Sequence, residues 1–128
     1  MNLSSNFTLE EMIFSSTASR LRIPNNPDKI QIANLRRLCL QILQPIRDKY
    51  GEPIRVTSGY RCPGLNNAVG GVSTSQHLQG EAADIISSDN RKLWDLITSM
   101  IKKGEIRVGQ LINEKNLTWI HISLPKQL

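Results

Sequence analysis

The chain has two histidines, and both fall where their surroundings suit chemistry. His77 lies in "STSQHLQGEAADI", and Asp84 follows seven residues later with Gly80, Ala82 and Ala83 between them. Little side-chain bulk stands around the pair, and small residues let backbones and ligands approach closely. His121 lies in "WIHIS", where alternation sets Ile120 and Ile122 on one face and Trp119, His121 and Ser123 on the other. The isoleucines belong to a core, so His121 shares its face with polar and aromatic neighbours. Asp84 alternates in the same way, with Ala82 and Ile86 on its side of a short apolar strand. A charge there is expensive unless it is paired or bound to a cation. Two histidines and a carboxylate are a ligand set used for catalytic zinc, with water in the fourth position. A structural site closed by four Cys and His ligands would consume all four that the chain has, Cys39 and Cys62 included, so a metal here is expected to keep a water.

A metal hydrolase also needs a base to take a proton from water. Glu114 is the candidate. If the hairpin loop centred on Asn116-Leu117 has two or four residues, Glu114 pairs with Trp119 and shares the face of His121. The two would then be diagonal, roughly 7 Å apart. A loop of three or five residues reverses the parity and removes Glu114 from the site. Arg61, in "SGYR", leaves a strand toward the same region, and a guanidinium suits a carboxylate.

These residues need elements to hold them. "TLEE" (Thr8 to Glu11) has the form of a capping box, so a short helix should follow and end before "RIPNNPD". Ile32, Leu35, Leu38, Cys39, Ile42, Ile46 and Tyr50 recur at helical spacing. Asp28 is placed to cap that helix, Gly51 to stop it, and Pro45 to kink or split it near Gln41. "PIRVTSGY" reads as a strand entering a loop, and "RCPGLNNAVGGVSTS" as turns. "EAADII" is a short strand, and "DNRKLWDLITSMIKKG" an amphipathic helix with Asp89 as cap and Gly104 as stop. "IRVGQLINE" and "TWIHISL" form a hairpin. Helices followed by strands predict an α+β fold, with helices packed on a small antiparallel sheet.

The 128 residues suit one domain, 1–128, with a core of its own. Hydrophobic residues make up 39% and charged residues 21%, an ordinary globular composition. Aromatics are only 5%, so aliphatic side chains must form the core. The net charge of +5 favours an anionic partner, with nucleic acid and bacterial cell wall as candidates. A nucleic-acid binder would need a basic stripe with interleaved aromatics, which the chain lacks, so no nucleic-acid partner is expected. No apolar run approaches a membrane span, so no membrane partner is expected, and the N-terminus lacks the pattern of a signal peptide. Synthesis in the cytoplasm is expected, with any export by another route. Cys39 and Cys62 are too few for a disulfide scaffold; Cys39 reads as a buried thiol and Cys62 as a loop residue.

Taken together, the residues resemble the zinc D-Ala-D-Ala carboxypeptidase family of peptidoglycan peptidases, from about Phe7 to Leu124. "SQHLQGEAAD" (Ser75 to Asp84) matches every fixed position of its Ser-x-His-x-x-Gly-x-Ala-x-Asp signature. The Ser-Gly-Tyr-Arg element is present as Ser58 to Arg61, and the late histidine strand as "WIHIS". The resemblance implies a zinc ion (Zn2+) held by His77, Asp84 and His121. It also implies the α+β fold shared with the hedgehog signalling domain, and a single zinc peptidase catalytic domain. The implied reaction is hydrolysis of a peptide bond in peptidoglycan stem peptides or cross-links, as a carboxypeptidase or an endolysin-like endopeptidase. Arg61 would bind substrate and stabilise charge at the scissile carbonyl, and Ser75 and Gln76 would line the site. Some members place the catalytic Glu three residues before the last histidine, where this chain has Thr118. Glu114 resembles instead the branch whose strand pair reads "QLI-x-E … W-x-H-x-S". A monomer acting on the cell wall after release, or by an unrecognised export route, is the expected setting. The alternative is a zinc-containing cell-wall-binding module that does not cleave.

Overall fold

Each long helix is set by its caps. In the computed structural model, which describes residues 1–126, Thr8 accepts a hydrogen bond from the Glu11 N–H and starts α1, Leu9–Ile13. The expected single helix here is two. Phe14 turns to extended backbone, and Ser15 caps a second helix, α2 (Ser16–Leu21), by accepting from the Ala18 N–H. Asp28 and Gln31 form a reciprocal capping box at the head of α3, Lys29–Leu38.

Pro45 acts as expected, by a particular route. A proline in a helix has no N–H to donate, and its ring clashes with the carbonyl four residues back, here Gln41. The chain widens into a π turn over Cys39–Leu43, closed by the Gln44 N–H on the Cys39 carbonyl, before α4 runs over Gln44–Tyr50. Leu40 and Gln41, in this turn, are exposed residues. Gly51 ends the helix in the left-handed conformation. The widened turn buries Leu43 and Gln44 with Leu35, Leu38, Cys39, Ile42 and Ile46, whereas Ile32 is only half-buried. The Gln44 amide spends its groups on Ser4, Asn6 and Asp48, which ties the N-terminal segment to the helix.

The sheet is antiparallel with strand order β1-β2-β4-β3. Its strands are β1 (Arg55–Ser58), β2 (Ala82–Ile86), β3 (Leu111–Glu114) and β4 (Trp119–Ser123). Ala83, Ile85, Ile120 and Ile122 belong to the core cluster, with Leu93, Ile97 and Met100 of α6 (Asn90–Lys102). Asp89 caps α6 through the Lys92 N–H, and Gly104 follows at φ +74°. The expected strand "IRVGQLINE" pairs only from Leu111, and "PIRVTSGY" only over its middle four residues.

The segment read as turns is partly helical. Pro63–Ala68 is a short helix, α5, and Gln76–Gln79 is a 3₁₀ turn. Pro63 suits a first helical position because its missing N–H would have no partner there. Among the described residues, no helix is long and apolar enough to cross a membrane.

Candidate metal centre

The two central strands bring two candidate residues face to face, since Asp84 of β2 pairs directly with His121 of β4. Both side chains leave the sheet on the face opposite the isoleucine core. His77 arrives from the 3₁₀ turn, whose start is capped by the Ser75 hydroxyl accepting from the His77 N–H at 3.2 Å. Its turn closes at Gly80, φ +73°, where a Cβ would stand 2.6 Å from the Gln31 carbonyl oxygen of α3. Only glycine lets this turn lie against that helix.

A bulge completes the approach. Val56 pairs with Ile85 and Ser58 with Asp84, so Thr57 is the extra residue on β1. The chain beyond then clamps His77 at two points. The Gly59 carbonyl accepts from His77 Nδ1 at 2.6 Å, and the Arg61 N–H donates to the His77 carbonyl at 3.1 Å. Tyr60 N–H in turn donates to Met12 O at the end of α1.

These contacts define the chemistry. A carbonyl can only accept, so His77 Nδ1 carries the hydrogen and Nε2 presents its lone pair. His77 is 2% exposed, and Nε2 is the buried side-chain polar atom without a hydrogen-bond partner among the described residues. It lies 3.4 Å from Asp84 Oδ1. His121 Nδ1 lies 3.0 Å from the same oxygen, while its Nε2 meets the Gln110 amide oxygen at 3.0 Å. The Gln110 oxygen also only accepts, so the neutral ring carries its hydrogen on Nε2 and turns a lone pair to Asp84. Two lone pairs against one carboxylate oxygen repel unless positive charge lies among them. A divalent cation satisfies all three groups, whose ligand atoms lie within 4.8 Å of one another. The residues therefore fit a metal by their own hydrogen bonding.

Burial works to raise the Asp84 pKa, but positive charge set against it on the His121 and His77 side, as ring protons would supply in place of a bound cation, outweighs burial and holds the carboxyl well below its usual range. Arg61 faces the other oxygen, Oδ2, at 3.5 Å. It also donates to Ser58 Oγ and Asn66 Oδ1, so three of its five N–H groups are engaged. Burial lowers the Arg61 pKa, and Asp84 opposes the shift.

The hairpin loop is the four-residue form, Lys115 to Thr118, and Glu114 pairs with Trp119. Glu114 consequently lies on the His121 face. It lines an open cleft of about 310 Å³ together with His121, Gln110, Ser75 and Gln76. Gln76 additionally donates to the Leu124 carbonyl. The structure thus brings His77, His121 and Arg61 onto Asp84, and sets Glu114, Ser75 and Gln76 along the cleft that His121 lines. It adds residues the sequence reading passed over. Gln110 was reachable by the alternation that selects Glu114, since 110, 112 and 114 share a face. The Gly59 carbonyl and Asn66 carry no signal of that kind.

Among curated proteins, none matches the chain. The profile of the Peptidase M15 family does match, over residues 5–123, a span that holds every residue of this cluster. Members of that family are zinc-dependent, and the His77-Asp84-His121 group is where this chain could hold the ion. A family match across nearly the whole chain and a metal-fitting cluster inside it lead to one conclusion: the chain belongs to the Peptidase M15 family of zinc metallopeptidases.

Proposed function

We propose that this metallopeptidase hydrolyses peptide bonds in peptidoglycan stem peptides or cross-links. The observation that carries the peptidase reading is the His77-Asp84-His121 cluster, whose His121 lines a cleft together with Glu114. The cell-wall substrate is supported by the likeness of "SQHLQGEAAD", "SGYR" and "WIHIS" to the D-Ala-D-Ala carboxypeptidases.

His77, Asp84 and His121 would hold zinc. When bound, the ion supplies Lewis-acid polarisation of the scissile carbonyl and a lowered pKa for attacking water. The rest belongs to the chain. Glu114 takes the proton of the attacking water as its oxygen bonds to the carbonyl carbon. It returns that proton to the amine nitrogen as the C–N bond breaks. Arg61 keeps two N–H groups that are not spent on Ser58, Asn66 and Asp84, and its role is to stabilise charge growing on the carbonyl oxygen. Ser75 and Gln76 line the same cleft and orient the peptide.

Digestion of purified muropeptides by the zinc-loaded protein, read by mass spectrometry, tests this. Release of a terminal residue identifies a carboxypeptidase, and internal fragments an endopeptidase. Glu114→Gln should keep its zinc and lose about 10²- to 10⁴-fold in rate, the usual share of a general base. Full activity in that variant would remove Glu114 from the role. Tight muropeptide binding by the wild type with no product over long incubation would favour a wall-binding module instead.

A further inference from the structure

Of the groups around the metal cluster, Gln110 has no assigned role, yet it is held more firmly than an edge glutamine needs to be. It lies just before β3, on an edge of the sheet, and its side chain reaches His121. Its backbone is fixed from both sides by Ser123. The Gln110 N–H donates to Ser123 Oγ at 2.9 Å, and the Ser123 N–H donates to the Gln110 carbonyl at 3.1 Å. Gly109 N–H donates to the Ser123 carbonyl, and a Cβ on Gly109 would stand 2.4 Å from the Leu124 carbonyl oxygen. Ser123 itself is fully buried. A close backbone approach that only glycine permits, and a buried serine, therefore set the position of one amide side chain.

We infer that Gln110 is a positioning residue for the metal centre: its amide oxygen holds the Nε2 hydrogen of His121 and so presents Nδ1 as the donor. The inference rests on the metal reading above. It is the counterpart of the Gly59 carbonyl, which does the same for His77 through the opposite ring nitrogen. One histidine is thus oriented by backbone and the other by a side chain. Only the second can be removed by substitution. A neutral imidazole with no acceptor on Nε2 is free to carry its hydrogen on either nitrogen and to rotate about its side-chain bonds. Both freedoms must be given up before it can bind a cation.

The test is zinc affinity, measured by competition with a chromophoric chelator on wild type, Gln110→Leu and Gln110→Glu. Far-ultraviolet circular dichroism checks that each variant is folded. Loss of such an outer partner typically costs 10- to 100-fold in metal affinity. Gln110→Leu should weaken zinc by that factor, and Gln110→Glu, which restores an acceptor, should recover most of it. In the zinc-loaded wild type the His121 Nε2 hydrogen should be visible by NMR and slow to exchange with water. In Gln110→Leu it should exchange fast. A folded Gln110→Leu protein that binds zinc within about twofold of wild type, with the signal still slow, would overturn the role of Gln110 and leave the metal reading intact. A wild-type protein that takes up no zinc would overturn the metal reading itself, and this inference with it.

Discussion

At the scale of single residues, the fold places charges where only specific partners make them tolerable. Asp84 is the clearest case, with two ring nitrogens at one oxygen and a guanidinium at the other. Glu11 is another, away from the metal cluster. Its carboxylate accepts the Val56 N–H at 3.2 Å and so occupies a donor on the open edge of β1. Burial raises its pKa above the ordinary 4.5, and the Val56 bond and Arg55 only partly offset this. The folded state therefore holds the proton more tightly than the unfolded chain. That contribution is complete below about the ordinary value and is lost as pH rises through the raised one. Glu11→Gln keeps an acceptor for Val56 without the charge. It should flatten the fall in stability with pH across that window and be neutral or stabilising at pH 7, as urea unfolding at several pH values would show. An unchanged pH slope would mean that Glu11 is not its source. At this scale the sequence was informative where chemistry is rare. Two histidines and one strand aspartate could be singled out by type and alternation, and Glu114 by hairpin parity. Gly59 could not, because its contribution is a carbonyl, which every residue has.

Secondary-structure elements show what decides legibility in physical terms. α3 and α4 were readable from Asp28, Gly51 and the apolar spacing, and Pro45 announced the interruption. The π turn that resolves it is a packing outcome that buries Leu43 and Gln44. α5 escaped because Pro63, Gly64, Asn66 and Asn67 are turn-forming types. Tertiary bonds hold it: Asn66, 4% exposed, accepts from Arg61 and donates to the Val72 carbonyl. The β1 bulge and the loop after it were equally silent, yet they set His77. Gly59 is their tightest point, since a Cβ there would be 2.2 Å from the Met12 carbonyl oxygen. That neighbour is backbone and cannot swing aside. Gly59→Ala should cost about 1–3 kcal/mol, as overpacking does, and should weaken zinc binding by moving the carbonyl that orients His77. Urea unfolding and chelator competition measure the two effects. A variant with wild-type stability would show that α1 yields to the methyl group at little cost.

For the whole molecule, the metal cluster is a tie between distant parts of the chain. His77 comes from the 3₁₀ turn, Asp84 from β2 and His121 from β4 at the far end of the sequence. The unfolded chain offers no such convergence, so an ion bound here binds the folded state almost alone. Its affinity then appears as stability. With free zinc at about a thousand times its dissociation constant, the folded state gains about 4 kcal/mol. For a domain of this size that corresponds to a rise in melting temperature on the order of 10–15 °C. Adding a chelator to the zinc-loaded wild type should reverse that rise. His77→Ala should melt at the same temperature with zinc, without it and with chelator, because it has lost the buried Nε2 that needs the cation. This outcome also separates the two uses of the cluster. A purely structural polar group would make His77→Ala lower the melting temperature while zinc changed neither protein. A wild type that responds to zinc beside a variant that does not would assign the stabilisation to the ion. It would also make metal occupancy, rather than the sheet alone, the determinant of how rigidly Glu114, Arg61 and the cleft wall are held around a peptide.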